Sequence, residues 1–297
     1  MRPENYVGNT PLVQIKHIAS SRGARVFTKL ETHNLAGSVK ARPALQMLID
    51  CESAGILIPS IQQTQTIIAA TGGNLGSALA CLALSRGYRV ILVIPDNFSP
   101  VKIKRCESYG AKVVLSDHKQ GRASHVHKTA ELVAANPAYV NFDQFSSAAN
   151  PRSHFNTGRE ILDALENVTV FTAAVGSGGT ISGIGQRLKE TNCRTRVVAV
   201  QPQGCDILNG KTIDHIIEGT TLGFVPKTFA VELVDDLIEV TKEEVLQTFR
   251  RLPREEGIFL GLSSAANICA AVKIASKLPK DCVVCTVAPD SGRNYVS

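Results

Sequence analysis

No tryptophan occurs among the 297 residues, aromatic side chains make up 5% of them, and only two methionines are present. Proteins that grip nucleic acid set aromatic platforms in a basic stripe. Here the 32 basic and 26 acidic residues are interspersed, and the densest cluster, Arg250 to Glu256, mixes both signs. Nucleic acid is therefore not an expected partner. No apolar run approaches the ~18 residues that a bilayer span needs, so no membrane partner is expected either. The opening Met1-Arg2-Pro3-Glu4-Asn5-Tyr6 lacks the apolar stretch of a secretory leader. The expectation is a soluble, cytoplasmic protein. Its net charge of +6 gives small anions a mild attraction.

What is present is enough to fold. A content of 44% hydrophobic and 20% charged residues excludes a mostly disordered chain, and the length suggests two domains of about 150 residues each. Eight cysteines are scattered through apolar contexts and read as reduced thiols. Cys282-Val-Val-Cys285 lies in an apolar run that reads as a buried strand, where positions three apart face opposite ways, so the pair reads as core rather than as a metal or redox motif. His125 and His127 stand at i, i+2 on a helical stretch and cannot chelate one ion easily. No metal is expected.

Short β-branched runs alternate with helical patterns. Strands are expected near 26–30, 66–70, 90–94, 112–115, 168–175, 196–200, 237–240 and 282–287; helices near 41–53, 75–85, 100–109, 123–135, 181–190, 242–252 and 264–276. This alternation predicts an α/β protein with doubly wound parallel sheets covered on both faces. Residues 136–151, rich in Asn, Ala, Ser and Pro, break the rhythm and mark a domain junction.

Two glycine-rich turns join an apolar strand to a helix: Thr71-Gly-Gly-Asn-Leu-Gly76 and Gly176-Ser-Gly-Gly-Thr180. Each presents backbone N–H groups at a helix N-terminus, a ready anion site. A dinucleotide fingerprint starting at Gly176 would need Gly or Ala at position 181, where Ile181 stands, and no P-loop pattern occurs. Ser263 has no sequence-adjacent His–Asp logic, so a hydrolase triad has little support. His154, near the junction, reads as structural. Lys40 falls where an amphipathic helix begins, and the positive end of the helix dipole favours its neutral amine there. A neutral amine is the form that Schiff-base chemistry requires.

These motifs, taken in order, resemble the fold-type II pyridoxal-phosphate enzymes of the cysteine synthase and cystathionine β-synthase group, whose architecture is tryptophan synthase β-like. The likeness runs from Gly8-Asn-Thr-Pro-Leu-Val13 through Asn34–Lys40, Thr71–Gly76, Asp143-Gln-Phe145, Gly176–Thr180, Gly223-Phe-Val-Pro226 and Glu256–Ser264 to Pro289-Asp290 and Tyr295. It implies two doubly wound domains with pyridoxal 5'-phosphate in the cleft between them. Residues 1–38 and 146–297 would form the larger domain and 39–145 the smaller, mobile one.

The resemblance also implies roles. Lys40 would carry the cofactor and act as the base that removes the substrate α-proton. Gly176, Ser177, Gly178, Gly179 and Thr180 would hold the cofactor phosphate. Asn74 would bond the cofactor's 3-hydroxyl oxygen, and Thr71, Gly72, Asn74 and Gln144 would receive the amino-acid carboxylate. Ser263, rather than Ser264, would face the pyridine nitrogen. The implied reaction is β-replacement on an O-activated serine, O-acetylserine or O-phosphoserine, with sulfide to give cysteine through an aminoacrylate. A homodimer is implied, and the ending at Ser297 suggests no regulatory domain beyond.

This sequence departs from the family pattern at Gly72 (usually Ser), Leu75 (usually Thr), Ala41 (usually Asp) and Ala265 (usually Gly). The lost polar groups keep other partners open: a cystathionine β-synthase-like, cyanoalanine or diaminopropionate-type synthase, or a catalytically weak cofactor-binding sensor. The Arg-Pro-Ala after Lys40 also resembles the siderophore-type branch that uses O-phosphoserine.

Overall fold

The computed structural model describes residues 3–60, 62, 64–71, 73–121 and 123–295. Gly72, one of the expected carboxylate-binding residues, lies outside the described residues. The strands are β1 (Leu12–Ile15), β2 (Arg25–Leu30), β3 (Thr66–Ala70), β4 (Arg89–Pro95), β5 (Lys112–Ser116), β6 (Tyr139–Asn141), β7 (Val170–Ala174), β8 (Arg196–Pro202), β9 (Asp236–Val240) and β10 (Val283–Ala288). The α-helices are α1 (Ala41–Ser53), α2 (Asn74–Leu84), α3 (Pro100–Ser108), α4 (Ser124–Ala135), α5 (Ala149–Ala164), α6 (Gly179–Thr191), α7 (Lys242–Arg251) and α8 (Leu262–Ala275).

The chain divides into two compact units, 1–7 with 34–149 and 8–33 with 150–297. Residues 1–7, 34–38 and 146–149 thus belong to the first unit, where the sequence places them with the C-terminal one. The cause is packing: Val7, Leu35 and Ala36 lie against the same apolar cluster as Ala41, Leu75 and Ala149.

The first unit is built on a parallel four-stranded sheet of order β5-β4-β3-β6. Its central strand, Thr-Ile-Ile-Ala-Ala, is buried at every position because helices cover both faces. The second unit holds a six-stranded sheet of order β1-β2-β10-β7-β8-β9, in which only β1 runs antiparallel. Cys285 is buried in β10, and desolvation pushes its thiol up to about 12, which makes it an inert core residue. The α7 helix opens with a capping box in which Thr241 Oγ1 accepts from the Glu244 amide at 3.1 Å and the Glu244 carboxylate accepts from the Thr241 amide at 2.8 Å.

The strand order decides where ligands can enter. From β3 the chain crosses through α2 to β4 on one side, while β6 lies on the other; from β7 it crosses through α6 to β8, while β10 lies on the other. Both glycine-rich turns therefore leave their sheets at a topological switch point, where adjacent connections diverge and open a crevice.

Candidate active site

In the first unit, Lys40 sits at the end of a tight turn. Ala36 and Gly37 both adopt left-handed backbone angles (φ 61° and 73°), which reverse the chain just before α1. Ser38 is buried and its hydroxyl accepts from the Lys40 amide at 3.3 Å, while the Lys40 carbonyl accepts from the Ala44 amide at 3.1 Å. Lys40 is half-buried, and desolvation lowers its ammonium from the ordinary 10.5 to about 8. The side chain is thus biased toward the neutral amine, in the direction the helix start also favours.

The turn before Lys40 packs on α2, whose first residue is Asn74. Ahead of it, Thr71 is buried at the carboxyl end of β3, its amide donates to Val93 O at 3.0 Å, and its hydroxyl accepts from the Gly73 amide at 3.3 Å. Gln144 reaches the same strand end, donating through Nε2 to Ala70 O at 3.5 Å. Lys40, Thr71, Asn74 and Gln144 accordingly belong to one unit, with Thr71 and Gln144 both at the end of β3.

In the second unit, the loop after β7 is shaped by glycine because nothing larger fits. A Cβ at Gly176 would stand 2.1 Å from Gly219 O, and one at Gly179 would stand 2.0 Å from Asn150 Oδ1. Gly178 takes a left-handed φ of 83° and is the N-cap of α6, with no side-chain cap. No side chain caps the first-turn amides of α6, which is the arrangement of an anion site, and the glycines let the loop pack closely on Gly219, Phe229 and Asn150. Ser177 Oγ accepts from Asn150 Nδ2 at 2.9 Å, and Thr180 Oγ1 lies 3.2 Å from Nε2 of the buried His154. Asn150 and His154 are one turn apart on α5, so a single helix face steadies both hydroxyls of the loop. His154, which reads as structural in the sequence, lies against the loop itself.

Ser263 and Ser264 open α8. Ser264 is fully buried and donates to Asp290 O at 3.2 Å, and the Gly261 amide donates to the same carbonyl at 3.0 Å. These bonds pin the start of α8 to the carboxyl end of β10. Asn267 spans two strands, accepting from the Ala174 amide at 2.7 Å and donating to Val287 O at 2.9 Å. Ser263 stands one turn before Asn267 on the same helix face. Asn150 and Asn267 are absent from the sequence reading; the i, i+4 spacings Asn150–His154 and Ser263–Asn267 are the signals that could have found them.

Outside these two groups, Asp96, Asp117 and His118 approach within 4.8 Å of one another on the surface of the first unit. His118 Nδ1 and Asp96 Oδ1 are 2.6 Å apart, and the hydrogen bond from His118 holds the Asp96 carboxyl below its usual range.

Residues 4–290 match the family described as pyridoxal-phosphate dependent enzyme. A probable cysteine synthase of Bacillus subtilis (strain 168) is 39% identical over 298 residues, covering 98% of this chain and 94% of the relative. Among solved structures, O-ureido-L-serine synthase superposes with a TM-score of 0.94 at 34% identity, covering 100% of this chain and 93% of that one. The O-acetylserine dependent cystathionine β-synthase from Helicobacter pylori gives a TM-score of 0.92 at 30% identity, covering 99% and 96% respectively.

Proposed function

The chain belongs to the pyridoxal-phosphate-dependent enzymes, of the fold-type II, cysteine synthase kind, and on that footing we propose that it converts an O-activated serine and sulfide into cysteine, with Lys40 as carrier of the cofactor and as base. The observation that carries this reading is the presence in one chain of a desolvated lysine amine and, separately, a glycine-rich helix start with no side-chain cap. The first suits a carbonyl group and the second a phosphate. These residues fit pyridoxal phosphate on their own chemistry.

Bound there, the cofactor supplies an electron sink for the pair left on the substrate α-carbon. The protein does the rest. Thr71, Gly72, Asn74 and Gln144 would receive the amino-acid carboxylate, and Asn74 would also bond the cofactor's 3-hydroxyl oxygen. Gly176, Ser177, Gly178, Gly179 and Thr180 would hold the phosphate through neutral donors. Ser263 would meet the pyridine nitrogen with a hydroxyl, which cannot support a full positive charge as a carboxylate would. The Lys40 amine takes the α-proton; the Cβ–O bond breaks and its electron pair leaves with acetate or phosphate. Hydrosulfide then forms the Cβ–S bond, and Lys40 returns the proton to the α-carbon. We extend the reading to a cytoplasmic homodimer, on the strength of the family resemblance.

The test is a matrix of substrates on cofactor-loaded protein: O-acetylserine, O-phosphoserine and serine, each with sulfide, homocysteine or cyanide. Cysteine formed from one of the activated serines and sulfide is the expected result. A second reading, the same chemistry with another nucleophile, is favoured by Ala41 and Gly72 and by the similarity to O-ureido-L-serine synthase. It replaces the first if sulfide is the poorer acceptor.

A further inference from the structure

Thr221 combines two features that ordinary loop residues avoid. Its φ of 47° lies in the left-handed region, where a β-branched side chain is a genuine outlier. Its side chain is 4% exposed, and Oγ1 has no hydrogen-bond partner among the described residues. A strained backbone and an unanswered buried hydroxyl at one residue point to a ligand group that answers it.

The surroundings say where that group sits. The Thr221 amide donates to Val175 O at 2.8 Å, which ties the residue to the carboxyl end of β7 at the start of the glycine cradle. Thr221 lines a cavity with Val175, Gly176, Gly223, Phe224 and Pro226, and of all the described residues lining it Thr221 alone carries a polar side chain. The first amide of α6, that of Gly179, comes three residues after Gly176 and is taken by phosphate under the proposed function, and the substrate carboxylate is taken by Thr71, Gly72, Asn74 and Gln144. The substituent on the substrate's β-carbon is the part of the reactants left without a side chain. We propose that the Thr221 hydroxyl donates a hydrogen bond to an acyl or phosphoryl oxygen of that substituent, and so selects oxygen-ester serines as substrates. This rests on the β-replacement reading and names the residue that chooses its leaving group.

The experiment compares wild type with Thr221→Val and Thr221→Ser on O-acetyl-L-serine, O-phospho-L-serine and β-chloro-L-alanine, whose leaving group carries no oxygen, with sulfide in each case. Thr221→Val should lose about tenfold in kcat/KM on the ester that wild type prefers. It should stay within about twofold of wild type on β-chloroalanine, with Thr221→Ser restoring most of the loss. Cofactor affinity, measured by equilibrium dialysis, should be the same for all three proteins. Should Thr221→Val fold poorly, Thr221→Gly removes the hydroxyl and the strain together; it should melt higher than wild type and show the same ester-specific loss. Parallel losses on all three substrates, no loss on either ester, or a drop in cofactor affinity would each overturn the assignment. A wild type that turns over β-chloroalanine but neither ester overturns it as well, while leaving Lys40 in its role. A wild type inert toward all three removes the reading beneath both.

Discussion

Replacing Lys40 by alanine should lower the rate of β-replacement by roughly 10²–10⁴-fold, the span by which a positioned base accelerates proton transfer, while leaving the fold intact. The side chain makes no cap bond at the start of α1, and the helix is held instead by its buried face of Ala41, Ala44, Met47 and Leu48. The variant should still take up cofactor through the glycine cradle, but reversibly. A pH dependence accompanies this. Burial lowers the amine to about 8, so the neutral form needed for attack on a carbonyl accumulates as pH rises through that value. Covalent uptake by the cofactor-free enzyme should accelerate from pH 7 to pH 9 and level off above. The same shift makes the unfolded chain bind more protons between about 8 and 10.5, so this one group makes stability rise with pH across that window. Stopped-flow mixing with pyridoxal phosphate across the pH range checks the first statement, and denaturant midpoints check the second.

Gly176→Ala should be nearly as damaging, for a different reason. The new methyl would lie 2.1 Å from the Gly219 carbonyl oxygen, a backbone atom that no side-chain rotation can relieve. The loop must shift, at a cost of roughly 1–3 kcal/mol typical of overpacking, and the α6 amides lose their alignment. Cofactor affinity should fall by about tenfold or more. Ser177→Ala, which leaves the backbone donors in place, should cost less. If Gly176→Ala retains cofactor as tightly as wild type, the phosphate is held elsewhere.

Why these features could be read from the chain at all is a matter of sterics. A glycine cradle between an apolar strand and a helix leaves a local mark because only glycine tolerates such approach, and the start of α1 at Lys40 follows from the turn residues before it. The α5 helix leaves no such mark. Asn-Pro-Arg-Ser-His reads as a break, yet Pro151 stands at the third helical position, where an N–H has no intrahelical partner to lose. The expected junction loop at 136–151 thus ends in a helix that supplies Asn150 and His154 to the cradle. β1 and β6, of four and three residues, are too short for periodicity to register and exist through pairing with their neighbours. Thr221 is illegible for a stronger reason: its backbone angle runs against threonine's own preference, and only the surrounding contacts impose it.

The most direct test of the whole account is borohydride reduction of the purified, cofactor-loaded protein, followed by peptide mass spectrometry. The account predicts a yellow protein whose colour is bleached by reduction and a single phosphopyridoxyl adduct on Lys40, absent when the Lys40→Ala protein is treated alike. An adduct on a different lysine, or a protein that takes up no pyridoxal phosphate, would contradict it.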